Sequence, residues 1–154
     1  MINVPILGNK AVSAIVPHKG RMSLLENILS IDLQQRSLVA EALVTGTSPL
    51  YDVQHEREPG FITFEYIAQA ISAFSFLRDD DEHAMPQIGY ILKVDHFVIK
   101  EPFLHKGDLV TVTVTENCNV DENLSSFYGT VTHKDAMIAT GHLLVYKTKA
   151  GKRG

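Results

Sequence analysis

Apolar and polar positions alternate with period two through most of the second half of the chain. Residues 88–99, 108–117, 125–133 and 137–147 each read as a strand. The clearest is LVTVTVT at residues 109–115. There Val110, Val112 and Val114 point one way, and Thr111, Thr113 and Thr115 the other. The breaks fall at residues 101–107 (EPFLHKG), 121–123 and 134–135. Connections this short join antiparallel neighbours. In the first half, residues 21–32 (RMSLLENILSID) read as a short helical turn running into a strand. Residues 37–45 (SLVAEALVT) read as a strand, with helix competing. The sequence GTSP at 46–49 breaks the chain, and the polar stretch 50–59 (LYDVQHEREP) reads as a loop.

Between these halves the period changes. After Gly60, the sequence FITFEYIAQAISAFSFLR predicts a helix over residues 61–78. Ile62, Tyr66, Ala70 and Ala73 share one side, but Phe61, Phe64, Ile67, Ala68 and Ile71 cover most of the rest. A helix apolar nearly all round is expected to be buried nearly all round. Arg78 suits the helix C-terminus, and the acidic run at 79–82 marks the exit. The order is therefore two strands, a long helix and four antiparallel strands. This is an α+β chain in which the antiparallel sheet must wrap around one central helix. Such a sheet leaves an open edge, and pairing edges across a two-fold axis would close it, so at least a dimer is expected.

Composition narrows the choice of function. The chain has 154 residues, 45% hydrophobic and 21% charged, which suits one domain with an ordinary core. One domain over residues 1–148 and a flexible tail at 149–154 are expected. A single cysteine, Cys118, excludes an internal disulfide framework and a cysteine zinc cluster. The formal charge of −4 argues against a nucleic-acid partner. No apolar run reaches the roughly 20 residues of a membrane span, and no signal peptide is legible, so a cytoplasmic protein is expected. No histidine pair sits at metal-ligand spacing and there is no glycine-rich phosphate loop. Neither a metal nor a cofactor is expected.

Three segments carry a resemblance. They are VPHKGRMSLLENILSID (16–32), PGFITFEYIAQA (59–70) and VDHFVIKEPFLHKGD (94–108). In this order they resemble the β-hydroxyacyl-acyl-carrier-protein dehydratases of fatty-acid synthesis. They are more similar still to the dehydratase-like proteins of bacterial aryl-polyene clusters. The resemblance implies the hotdog fold and elimination of water from a 3-hydroxyacyl thioester to give a trans-2-enoyl thioester.

It also implies site residues. Glu65 matches the helix acid that protonates the departing hydroxyl, and burial among Phe61, Phe64 and Phe76 would raise its pKa. Gln69, at i+4, would orient it. Gly60, with Phe61, opens the helix, where backbone N–H groups could hold the developing enolate oxygen. The base is open between two histidines. His55 lies in the loop before the helix, and His18 matches a position that lines the acyl tunnel. The family's usual base stands fourteen residues before the acid, where this chain has Tyr51. That departure leaves a non-catalytic partner subunit or acyl-binding protein as an alternative, with an acyl thioesterase behind it. Expected partners are an acyl carrier protein and a further hotdog chain, either a copy of this one or another dehydratase. Lys19, Arg21, Lys93, Lys100 and Lys106 are candidates for a basic rim facing the acidic carrier.

Overall fold

The computed structural model describes residues 23–78, 87–121 and 123–149. Its elements are β1 (Leu25–Asp32), β2 (Ser37–Leu43), β3 (Arg57–Pro59), α1 (Ile62–Arg78), β4 (Gln87–Ile99), β5 (Phe103–His105), β6 (Leu109–Asn119), β7 (Leu124–His133) and β8 (Ala136–Lys149). Six strands form one sheet in the order β1-β2-β6-β7-β8-β4, while β3 and β5 form a separate two-stranded sheet. Every pairing is antiparallel, as the short connections required. The tightest is the β7–β8 turn. Lys134 and Asp135 there both have positive φ (50° and 65°), which suits a two-residue hairpin turn matched to strand twist.

The period-two reading decides which face is inside. Val110, Val112 and Val114 are fully buried, and the intervening threonines are half-buried on the other face. Phe127, Val131 and Leu143 extend that apolar face across β7 and β8. Against it pack Ile62, Ile67, Ala70 and Phe74 of α1, each fully buried. Burying side chains the size of Ile62, Ile67 and Phe74 is worth roughly 1.5–3 kcal/mol apiece. The helix touches β1, β2, β4, β6 and β7, so the sheet wraps around it. Close approach needs a gap in the sheet. Gly129 supplies one, because a Cβ there would lie 2.5 Å from the Ile67 side chain.

Three details differ from the sequence expectations. The loop at 50–59 ends in strand β3, and the break at 101–107 contains β5. Each has three residues, too few for a period to show, and each exists only by pairing with the other. The segment read as a strand at 37–45 is one over Ser37–Leu43, where β2 is held on both sides by β1 and β6. The helix is not buried all round within one chain. Phe64, Glu65, Ala68, Ser72 and Phe76 form a half-exposed stripe, and Phe61 just before the helix is 55% exposed. One sheet cannot enclose a helix completely. Strand β8 runs through Lys149, while residues 1–22, 79–86, 122 and 150–154 lie outside the described residues.

Candidate active site

The site is built around the junction of β3 and α1. Pairing of β3 with β5 brings residues 99–102 against the helix start. Gly60 donates its N–H to the Pro102 carbonyl at 2.7 Å. A Cβ at Gly60 would lie 2.0 Å from the Glu101 carbonyl oxygen. The glycine is therefore demanded by backbone packing. Its own amide is already engaged, and the helix-start amides without a backbone acceptor among the described residues are those of Phe61 and Ile62.

Glu65 lies in the first turn of α1, half-buried. Gln69, one turn on, is fully buried and donates from Nε2 to Glu65 Oε1 at 3.3 Å. Its Oε1 accepts the Leu24 N–H at 3.0 Å. Gln69 thus ties the helix carboxylate to the start of β1, and both ends of its amide are used, as burial of a polar group requires. Beside Glu65, the Phe64 ring meets Phe97 of β4 edge-on, with centroids 5.3 Å apart.

The histidine in the preceding loop is placed differently. His55 sits on the surface in a tight turn, with Nδ1 2.8 Å from Asp52 Oδ2. The hydrogen bond to the His55 side chain, helped by the backbone amides of His55 and Gln54, holds the Asp52 carboxyl below its usual range. His55 is therefore gathered to Asp52, whereas Glu65 is gathered to Gln69. Tyr51 is half-buried against the core edge. Its phenol is pushed up by desolvation and by the nearby carboxylates of Glu56, Glu58 and Asp52. His18, like Lys19 and Arg21 of the expected basic rim, lies outside the described residues. Of the rim residues described, Lys93, Lys100 and Lys106 are exposed, and Lys93 pairs with Asp95 at 3.1 Å.

One residue was passed over in the sequence. Glu58, expected in a polar loop, is only 2% exposed. Burial pushes its carboxyl up, although hydrogen bonds from Ser48 and from Tyr66 (3.4 Å) oppose the shift. The Tyr66 phenol is in turn pushed well up, by desolvation first and then by Glu58. Nothing in the local pattern distinguishes Glu58 from Glu56, because its burial follows from pairing with Leu104 across the small sheet. Among the described residues no three His, Cys, Asp or Glu side chains come together to hold a metal. No described helix is long and apolar enough to cross a membrane.

Comparison with known proteins places the chain. The family model ApeP-like, described as ApeP dehydratase, matches residues 10–153. The chain belongs to the ApeP-like dehydratase family. Its activity class is accordingly that of a hydro-lyase. The 3-hydroxyacyl-[acyl-carrier-protein] dehydratase FabZ of Xylella fastidiosa (strain M23) is 22% identical over 142 residues, covering 90% of this chain and 88% of that protein. FabZ of Chlamydia muridarum is 38% identical over a shorter stretch of 74 residues, 46% of this chain and 48% of that one. Among solved structures, the dehydratase heterocomplex ApeI:P from Xenorhabdus doucetiae matches with TM-score 0.79 at 22% identity, covering 90% of this chain and 91% of that one. A thioesterase-like structure from Ralstonia eutropha JMP134 matches with TM-score 0.59 at 13% identity, covering 77% and 82%. These neighbours share the hotdog fold, so the wrapped sheet and central helix of this ApeP-like chain form a single hotdog domain.

Proposed function

We propose that this ApeP-like chain eliminates water from a 3-hydroxyacyl thioester carried on an acyl carrier protein, in fatty-acid-like or aryl-polyene synthesis. The observation that carries the reading is the relay from Leu24 N–H through buried Gln69 to Glu65 on the half-exposed stripe of α1. In the reaction a base takes the proton from C2, the C2–C3 double bond forms, and the C3 hydroxyl leaves as water after protonation by Glu65. Gln69 fixes the rotamer of Glu65. The helix-start amides at Phe61 and Ile62 hold the enolate oxygen, with Gly60 setting their position. Phe61 and Tyr51 flank the acyl group. The base is His18 or His55, reaching Glu65 from the same or a neighbouring chain.

A neighbouring chain belongs to the reading. The half-exposed helix stripe and the exposed Tyr90, Ile91, Leu92, Val94, Val98 and Ile99 of edge strand β4 leave apolar surface incompletely covered. A second hotdog chain fits there, either a copy of this one or another dehydratase. The Xenorhabdus doucetiae protein, solved in a dehydratase heterocomplex, supports the latter. Placement in the cytoplasm, where acyl carrier protein would meet it, is part of the same proposal, as is a domain spanning residues 1–148 with a tail at 149–154.

The deciding experiment is Glu65→Gln, assayed for turnover of a 3-hydroxyacyl carrier-protein substrate with the fold checked by circular dichroism. Loss of turnover by two orders of magnitude or more is expected, and unchanged turnover refutes the role. His18→Ala and His55→Ala in parallel separate the bases. The tie of His55 to Asp52 favours a second reading, in which this chain is a non-catalytic partner or acyl-binding subunit. Under that reading the isolated chain is inactive, and activity appears only with an added hotdog dehydratase and survives Glu65→Gln.

A further inference from the structure

A cavity of about 290 Å³ opens where four pieces of chain meet: the approach to β1, the segment after β2, strand β3 and the inward side of α1. Its wall carries the hydroxyl groups of Ser23, Thr45, Thr47, Ser48 and Tyr66, together with the buried carboxyl of Glu58. Glu26 adds a second carboxyl, and Leu24 and Leu43 add the apolar part. No Lys, Arg or His is among the described residues that line it. Glu65 and Gln69 are not lining residues either, although Leu24, which binds Gln69, is.

We propose that this cavity is a binding site for a small uncharged molecule dense in hydroxyl groups. The reasoning begins with what a carboxyl costs there. Glu58 stands at a strand position whose cross-strand partner is Leu104, and an aliphatic side chain would be buried there without penalty. Instead the chain buries a carboxyl and points the Tyr66 hydroxyl at it. A buried, perturbed carboxyl beside a cavity is a recurrent mark of a binding site.

Charge selects the ligand. Two carboxyls, with no Lys, Arg or His among the described lining residues, oppose an anion. An organic ammonium has no acceptor to offer the five hydroxyls that make up most of the described lining. The carboxyls accept hydrogen bonds, and the five hydroxyls around them both donate and accept. A compact polyol offers the same mixture at matching density. The volume corresponds to about ten waters at roughly 30 Å³ each, enough for a molecule from glycerol to inositol in size.

The experiment is a titration of the whole chain, labelled with nitrogen-15, followed by amide chemical shifts. Glycerol, myo-inositol, methylammonium and acetate are the probes, each at pH 6 and pH 8. Saturable shifts confined to residues around Thr45–Ser48 and Leu24 are expected with a polyol and absent with acetate. Glu58→Leu is expected to weaken that binding about tenfold, the loss of one hydrogen-bonding anchor. If Glu58→Leu does not fold, Ser48→Ala and Thr47→Val are expected to weaken it severalfold. Saturable methylammonium binding that tightens from pH 6 to pH 8 would make the cavity a cation site and overturn the proposal. Absence of saturable shifts with both polyols, in a folded protein, would leave a water-filled void and overturn it equally. The readout is binding, so the result does not depend on whether the chain dehydrates a thioester.

Discussion

Substituting Gly60 by alanine tests how the helix start is held. The φ of Gly60 is not among the positive values in the chain, so the demand is for space alone. An added Cβ meets the Glu101 carbonyl oxygen at 2.0 Å and Ile99 Cγ2 at 2.9 Å, and relief means opening the first gap to at least 3.4 Å. The obstacle is backbone, which cannot swing aside like a side chain. Moving it breaks the 2.7 Å hydrogen bond from Gly60 N–H to Pro102. That bond is worth about 1 kcal/mol net, and overpacking of this kind adds about 1–3 kcal/mol. The expected loss is therefore about 2–4 kcal/mol, or roughly 5–15 °C in Tm for a domain of this length. Urea unfolding at fixed protein concentration measures it. Gly107→Ala is the comparison. Its φ is +94° but nothing lies within 4 Å of an added Cβ, so it should cost only the left-handed penalty of about 1–2 kcal/mol. Because Glu65 follows Gly60 within two turns, Gly60→Ala should also reduce turnover at temperatures where it remains folded. A Gly60→Ala protein within about 0.5 kcal/mol of wild type would refute the packing argument.

Two further outcomes follow from buried charges. The folded-state pKa of Glu58 is raised above its ordinary 4.5, so the folded protein holds this proton more tightly than the unfolded chain. Stability from this group is present below pH 4.5 and is lost as pH rises from there through the folded pKa. Glu58→Gln keeps the shape and removes the titration, so its stability relative to wild type should improve between pH 5 and pH 8. A difference that does not change with pH would count against the assignment. At the far end of α1, Arg78 donates from Nη1 to Glu116 Oε2 at 2.6 Å, and the Glu116 side chain is 1% exposed. Arg78→Ala strands that carboxylate and is expected to cost about 2–3 kcal/mol, discounted from the fully buried case because Arg78 is partly exposed. Replacing both, with Arg78→Met and Glu116→Leu, should recover most of the loss. A double variant less stable than the single one would show that the pair itself is favourable.

The resemblance in three segments pointed to the same family as the model match over residues 10–153. It did so because local motifs survive where overall identity is low. The Pro59–Gly60 pair with Glu65 and Gln69 behind it is local to one turn-and-helix unit. Its geometry therefore follows from helix periodicity, and the 3.3 Å contact between Gln69 and Glu65 is the i,i+4 neighbour that spacing allows. The outward partner of Gln69 was not legible, because Leu24 lies 45 residues away in the chain. The same holds for His55. The sequence shows an imidazole in the right loop, but the turn built on Asp52, three residues back, decides where it points.

The sequence alone determined the strands β1, β2, β4 and β6 to β8, the central helix and the inward valines, since period two and period 3.6 act over neighbouring residues and need no knowledge of what lies opposite. Tertiary structure decided the rest. Strands β3 and β5 exist only as each other's partner, and Glu58 is buried only because that pairing turns it toward Tyr66. The stripe carrying Glu65 stays half-exposed because one sheet closes around only part of a helix. Each outcome depends on contacts between residues far apart in the chain, and a pattern read over a few residues carries no record of them.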